Sequence, residues 1–460
     1  MSALVADVAE AEEFLAKNPD IDTIQIVFTN QSGVPRGKNL RRHDLLPIYE
    51  HARYLPGTML ALDITGEDVE ESGLVWTDGD ADRLGRPVPG TLVRAPWLGP
   101  TCAQVLLSVY ELDGSPCVYD PRHVLRRVID RFKEFDLVPV IACELEFYLV
   151  DRQRGPQGEL RVPASPVTGY RPWDIQVYGL RELDDFDPFF RDLYAACDVQ
   201  GIPVETAISE YAPGQLELTL RHRPDALRAT DEAIMYKRAV KGVAIRHGVE
   251  ATFMAKPFSD IAGSGMHLHV SLADRAGRNA FASEAPEGSD LLRFAVGGMQ
   301  ALLEDSMAVF APNANSYRRF RANSYAPVAP TWGINNRTVS FRVPAGPASS
   351  RHIEHRVCGA DANPYLAVAA LLAAVHYGLE RRIDPGAPIE GNGYAKAAEM
   401  GMKLPDNWFK ALELFAGSER MRDYFGPEFH RMFVAVKRAE QDRFFRRVTE
   451  LDYDWYLRNS

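Results

Sequence analysis

Only five of the 460 residues are cysteines, and Cys102, Cys117, Cys143, Cys197 and Cys358 include no C-x-x-C pair. This excludes a disulfide framework and a thiolate metal cage, and it predicts reduced thiols packed as small apolar side chains in a cytoplasmic protein. Long apolar runs are missing as well. The longest, Tyr365 to Val375, has eleven residues, short of the roughly 20 a membrane helix needs, so no membrane partner is expected. Basic charge is in deficit: 52 Lys and Arg stand against 63 Asp and Glu, for a formal net charge of −11. A chain of that sign repels phosphate backbones, and nucleic acid is not expected as a partner. A targeting leader is not expected either, since Asp7, Glu10, Glu12 and Glu13 precede the first lysine, Lys17, the wrong charge pattern for one,. Neither G-x-x-x-x-G-K-[ST] nor a dinucleotide fingerprint occurs, so a nucleotide would have to be held by other means.

What remains is a globular composition, 46% apolar and 25% charged, whose length alone suggests about three domains. Leu4, Val8, Ala11 and Leu15 recur at helical spacing up to Asn18-Pro19,. Strand-like runs come next at Ile24 to Phe28, from the Gln31-Ser32-Gly33 turn to Arg42, at Gly90 to Ala95 and at Cys102 to Leu112,. The break at Asp113-Gly114-Ser115-Pro116 divides a small β-rich unit, residues 1–115, from a large mixed unit, residues 116–460, which opens on a helix start at Asp120-Pro121,. Gly155 to Trp173 and Ala311 to Trp332 carry no periodicity, and long structureless segments inside a domain are usually functional loops,.

The chemistry sits on strands. If Leu137 to Val150 is extended, Ile141, Cys143, Leu145, Phe147 and Leu149 share a wholly apolar face, and Glu144 and Glu146 project together from the other,. A lone E-x-E reads as a solvated strand face. The pattern recurs, however. Gln215, Glu217 and Thr219 alternate with leucines, His267, His269 and Ser271 alternate with Met266, Leu268 and Val270, and His352, Glu354 and Arg356 oppose Ile353 and Val357. Each strand alone admits a plain structural histidine or ion pair. Together with Glu210 they offer many carboxylate oxygens, one or two imidazoles and no thiolate, a set that suits Mg²⁺ or Mn²⁺ rather than structural zinc. Arg318, Arg319, Arg337, Arg342 and Arg356 supply guanidinium groups, which beside such a metal site suit phosphoryl transfer,.

These motifs, in order, closely resemble the type I glutamine synthetase family: E-L-E at 144–146, E-Y-A-P-G-Q-L-E at 210–217, G-S-G-M-H-L-H-V-S at 263–271, N-S-Y-R-R at 315–319 and R-H-I-E-H-R…N-P-Y at 351–365. The resemblance spans nearly the whole chain. It implies an α+β fold, with a small β-grasp-like N-terminal domain and a catalytic domain built on a curved antiparallel sheet flanked by helices. It further implies two to three Mg²⁺ or Mn²⁺ ions, with Glu146, Glu210 and Glu217 around the metal nearer the glutamate and Glu144, His267 and Glu354 around the metal between the ATP phosphates. His269, Ser271, Arg337 and Arg342 would then meet ATP or the transferred phosphate, and Gly263, Arg319 and Arg356 the substrate glutamate. Arg337 and Arg342, five apart, fall on opposite faces of a strand unless a bulge or strand end intervenes. A dodecamer of two hexameric rings is implied too.

The departures concern the second substrate. Family members that use ammonia carry an acid in a Y-E-A-P flap and another in F-D-G-S; here those stretches read Ser324-Tyr325-Ala326-Pro327 and Leu55-Pro56-Gly57-Thr58. A small hydrated cation needs such acids to offset its desolvation. Their loss, with similarity to γ-glutamylputrescine and other γ-glutamylamide synthetases, implies a primary organic amine as the nucleophile attacking a γ-glutamyl phosphate. An ammonia-using glutamine synthetase and a non-catalytic ring are the alternatives, the latter disfavoured because all six metal ligands are present. The amine must lose a proton, for which Tyr325, Asp63 and Glu67 are candidates by position. No tyrosine-bearing regulatory loop is recognisable around Tyr394 to Pro405.

Overall fold

The computed structural model describes residues 4–460. The first helix spans Val8–Lys17, with the Asp7 carboxylate accepting from the Ala9 N–H and Asn18 closing the other end where the sequence predicts its stop,. Next come six strands: β1 (Thr23–Thr29), β2 (Pro35–Arg41), β3 (Arg53–Pro56), β4 (Asp82–Pro87), β5 (Val93–Arg94) and β6 (Cys102–Tyr110). They form one sheet in the order β2-β1-β6-β4-β3, with β5 added on β6 and a parallel β1–β6 pair at its centre. The strand expected over Gly90 to Ala95 is only two residues long. Thr91 is spent on a turn instead, its hydroxyl donating to the Val88 carbonyl at 2.7 Å and accepting from the Leu106 N–H at 3.0 Å. Alternation along β1 sends Ile24 and Ile26 into a local core with Leu45 and Ile48, while Val27 joins the larger core of the chain,.

Asp120 links the first sheet to the large unit of the chain. It caps the helix Pro121–Arg131 by accepting from the Arg122 N–H, and it also accepts from the Val109 N–H at 2.7 Å and the Ser108 hydroxyl at 2.8 Å. Eight further strands are β7 (Val138–Asp151), β8 (Val204–Ser209), β9 (Gln215–Leu220), β10 (Val249–Thr252), β11 (Met266–Ala273), β12 (Trp332–Ile334), β13 (Phe341–Val343) and β14 (Ile353–His355). Their order is β12-β13-β14-β11-β7-β9-β8, with β10 on the far half of β7. The α+β class holds, but the sheet is mixed rather than wholly antiparallel. Residues 335–340, with Asn335 left-handed at φ 47, turn the chain back so that β13 runs parallel to β12.

The apolar face of β7 is sealed, every one of its five expected core residues being at most 1% exposed. The helix Ala226–Arg246 packs Ala233, Tyr236 and Val240 into the same core. Behind it, the helices Asp290–Phe310 and Pro364–Arg381 approach so closely that a Cβ on Gly298 would lie 2.1 Å from the Ala374 carbonyl oxygen. A tie also runs from the end of the chain back to its beginning. On the helix Pro427–Arg446, Lys437 bonds Ser32, the Glu440 carboxylate accepts from the Ile64 N–H at 2.8 Å, and Arg443 pairs with the buried Asp63 and with Glu67. Among the described residues no helix is long and apolar enough to cross a membrane.

Candidate active site

Strand register brings together residues that the sequence scatters over more than two hundred positions. Glu144 stands opposite His267 of β11 on one side and Thr219 of β9 on the other; Glu146 stands opposite Glu217. One strand further, Glu354 lies between His269 of β11 and Arg342 of β13. Because side chains alternate, all of these project from the face opposite the sealed core. Glu210 enters from the turn before β9, where its N–H bonds the Gln215 carbonyl.

The groups touch. His267 Nδ1 lies 2.6 Å from Glu144 Oε1 and 3.7 Å from Glu354 Oε1, and its Nε2 lies 3.7 Å from Glu146 Oε1. Ligand atoms of Glu144, Glu217 and His267 all fall within 4.8 Å of one another. Burial and the neighbouring carboxylates of Glu146 and Glu144 push Glu210 up to about 8. Burial beside Glu144 and Glu146 likewise raises Glu217 well above the usual carboxylate range. Burial acts the same way on Glu354, but Arg356, His267 and His269 outweigh it and hold its carboxyl at about 2. For Glu144, bonds from His267 and His269 override burial and keep it well below the ordinary range. Five acids with one imidazole, two of the acids driven toward protonation by burial and their neighbours, form a donor set that a hard divalent cation completes, and the residues fit Mg²⁺ or Mn²⁺,.

Around this cluster the guanidinium groups divide by position. Arg356 pairs with Glu354; Arg342 donates to Glu354 Oε2 at 2.8 Å and to Asn335 Oδ1 at 3.0 Å. Arg319 is buried, donating to the Val357 carbonyl at 2.8 Å and the Arg356 carbonyl at 3.2 Å. It passes beneath two glycines: a Cβ on Gly263 would meet Arg319 Cγ at 2.9 Å, and one on Gly265 would meet its Nη2 at 2.6 Å. Ser271 lies on the same side of β11 as His267 and His269,.

Arg337 lies outside this constellation. It belongs to the turn between β12 and β13, so strand parity does not govern its relation to Arg342. With Tyr325, Asn336, Thr338 and Glu390 it lines a cavity of about 700 Å³. Tyr325 is 55% exposed and holds a left-handed φ of 59. Among the described residues neither side chain forms a hydrogen bond or an ion pair. Tyr394 is buried, its hydroxyl on the Ala326 carbonyl at 3.1 Å, within the helix Gly393–Glu399.

Two supporting residues are not evident as site members from the sequence. Gln215 Nε2 donates to Glu146 Oε2 at 2.9 Å and to the Gly263 carbonyl at 3.0 Å, while the Gly265 N–H donates to the same Glu146 oxygen at 2.8 Å. Gln215 shares the parity of Glu217, which is the one available signal. A glycine N–H carries none.

Residues 118–456 match the glutamine synthetase catalytic domain family. The γ-glutamylputrescine synthetase of Escherichia coli K12 is 38% identical over 451 residues, covering 98% of this chain and 95% of its own. A glutamate–isopropylamine ligase of a Pseudomonas species is 33% identical over 440 residues, covering 94% and 93%. In shape, the solved complex of GmaS with ADP matches with a TM-score of 0.84 at 28% identity, over 97% of this chain and 98% of that one. The sheet that gathers the acids and the matched length agree: this chain belongs to the glutamine synthetase family of ATP-dependent carbon–nitrogen ligases.

Proposed function

We propose that the protein joins a primary organic amine, of the putrescine, polyamine or small-alkylamine class, to the γ-carboxylate of L-glutamate at the expense of ATP. The observation that carries the choice of amine is Tyr325, standing with Arg337 on the 700 Å³ cavity where ammonia-using relatives of the motif have an acid. The relatives named for putrescine and isopropylamine support the same choice. Mg²⁺ or Mn²⁺ ions, two to three per site, held by Glu146, Glu210 and Glu217 and by Glu144, His267 and Glu354, would supply the positive charge that phosphoryl transfer requires.

The chain's own groups do the rest. Arg319, Arg356 and the Gly263 loop hold glutamate so that an oxygen of its γ-carboxylate faces the terminal phosphorus of ATP. As the new P–O bond forms and the bond to ADP breaks, Arg342 shares the spreading charge, with His269 and Ser271 on the nucleotide side, and Arg337 would join it from the edge of the cavity it lines with Tyr325,. The amine sheds the proton it carries when free, its nitrogen attacks the acyl carbon, the C–O bond to phosphate breaks, and the nitrogen gives up a second proton, which the departing phosphate can accept. A free amine starts protonated, with a pKa of about 10. Asp63 is buried under Arg443, which also takes Glu67, and this leaves Tyr325 as the residue we set against the amine.

In this reading residues 1–115 form the small domain and 116–460 the catalytic one, in a cytoplasmic dodecamer of two hexameric rings. The exposed Leu451, Tyr453, Trp455 and Leu457 near the C-terminus support assembly,. The test is an amine panel: phosphate release and γ-glutamylamide formation with ammonium, putrescine, ethanolamine and isopropylamine. We expect kcat/KM for one organic amine to exceed that for ammonium at least tenfold, and Tyr325→Glu to shift the ratio toward ammonium. Ammonium used as well as every amine would sink the proposal.

A further inference from the structure

A second cluster of donors lies beside the carboxylates and differs from them in kind. The rings of His222, His269 and His352 sit with centroids 5.2 to 5.6 Å apart. One ligand atom from each lies within 4.8 Å of the other two. No carboxylate belongs to the group. The three residues come from neighbouring parts of one sheet: His222 just after β9, His269 on β11, His352 just before β14.

A hydrogen bond sets the tautomer of one of them, and an acid orients a second. His352 Nδ1 lies 2.7 Å from the Ser350 carbonyl, which can only accept, so the proton is on Nδ1 and the lone pair on Nε2,. His269 Nε2 lies 3.4 Å from Glu144 Oε2, and its Nδ1 is buried without any hydrogen-bond partner. His352 thus gives its N–H to a carbonyl and His269 sets Nε2 beside a carboxylate, and in both rings the other nitrogen is left to act as a ligand, the arrangement that metal-ligating histidines show,. The third ligand is held on firm backbone: next to His222, Arg223 exchanges both main-chain hydrogen bonds with Ile141 of β7, at 2.8 and 2.9 Å.

We propose that His222, His269 and His352 form a separate, nitrogen-only site for a borderline transition-metal cation, with Zn²⁺ or Ni²⁺ as the chemical class. Three neutral imidazoles with an open fourth position suit these ions, whereas Mg²⁺ keeps to oxygen ligands. The two neighbouring sites therefore sort metals by ligand type. Glu144 joins them, since one of its oxygens meets His267 and the other His269.

Titration calorimetry of the full-length protein with Zn²⁺, in saturating Mg²⁺, should show one Zn²⁺ per chain in the wild type. His222→Ala and His352→Ala should each weaken it by about 10- to 100-fold or more. With Co²⁺ in place of Zn²⁺, visible absorption bands of a low-coordinate nitrogen site should appear in the wild type and vanish in His222→Ala. His222 is exposed at the surface, and an unchanged thermal midpoint establishes that its variant is folded. Zn²⁺ binding of the same strength and number in both variants, or none in the wild type under excess Mg²⁺, would overturn the site. A consequence that rests on the proposed function is competition with ATP: Zn²⁺ should raise the KM for ATP of the wild type and leave that of His222→Ala unchanged. An equal rise in both would overturn that competition, and the calorimetry, which needs no turnover, decides the site independently.

Discussion

Glu210 and Glu354 face the same space from one sheet, yet their surroundings drive them in opposite directions. Burial and neighbouring acids push Glu210 up to about 8, whereas at Glu354, which bonds both Arg356 and Arg342, burial is outweighed by Arg356, His267 and His269 and the carboxyl is held at about 2. One wall of the site carries more carboxylates than the chain's own cations offset, and the other is neutralised from within. The acid wall is unfinished without a cation, and the arginine wall is finished on its own.

The largest effect expected from this contrast is catalytic. Glu210→Ala should lower turnover by about a thousandfold or more, since phosphoryl transfer depends on charge stabilisation worth several kcal/mol. The same change should leave the metal-free thermal midpoint intact or higher, because it removes a repelled carboxyl. Near wild-type turnover would show that the acid wall does not hold catalytic metal.

Next in size is the arginine wall. Removing one partner of a buried pair costs about 3–5 kcal/mol, and with Arg342 still bonded to Glu354 the cost of Arg356→Ala should fall near the lower end, about 3 kcal/mol in urea unfolding. A loss below about 0.5 kcal/mol, the size of an ordinary exposed ion pair, would show that this wall is not self-neutralising.

The smallest effect is in pH. Glu210 titrates near 4.5 when unfolded and at about 8 when folded, so between those values the native state holds a proton the unfolded chain has shed. Metal-free stability from this group therefore falls as pH rises through that window. Glu354 contributes the opposite slope, but only below pH 4.5, where its stabilising charge is lost toward about 2. Added Mg²⁺ should accordingly raise the thermal midpoint more at pH 8 than at pH 5, and Glu210→Gln should flatten the difference. An Mg²⁺ gain independent of pH would count against the acid wall as the site of binding.

Much of this was legible because strands have a period of two. Glu144 with Glu146, His267 with His269 and Glu354 with Arg356 could be assigned to one face before any fold was known, and register then had only to align them. Arg337 was ambiguous because it lies in a turn, where parity says nothing. The Asn335-Asn336 turn between β12 and β13 is readable as a turn, but that the two strands run parallel is set by their places in the sheet, which local pattern does not carry,. His355 shows the rule working in reverse: sharing a face with Ile353, it is buried between Phe310 and Phe341 with neither ring nitrogen bonded, and desolvation pushes it down to about 3. The Gly265 N–H and the Arg443–Asp63 pair join residues too far apart in the chain for any local pattern to predict.

That last tie has a consequence for how the protein is made. Asp63 leaves the ribosome 380 positions before Arg443, an interval of roughly 20–80 s at usual synthesis rates. During that time its carboxylate, fully buried in the finished protein, lacks its cation, and Ser32 and Ile64 lack Lys437 and Glu440. The loops of the first sheet therefore complete their contacts only once the helix Pro427–Arg446 has been made, and a nascent protein stopped before Pro427 would keep them open to proteases.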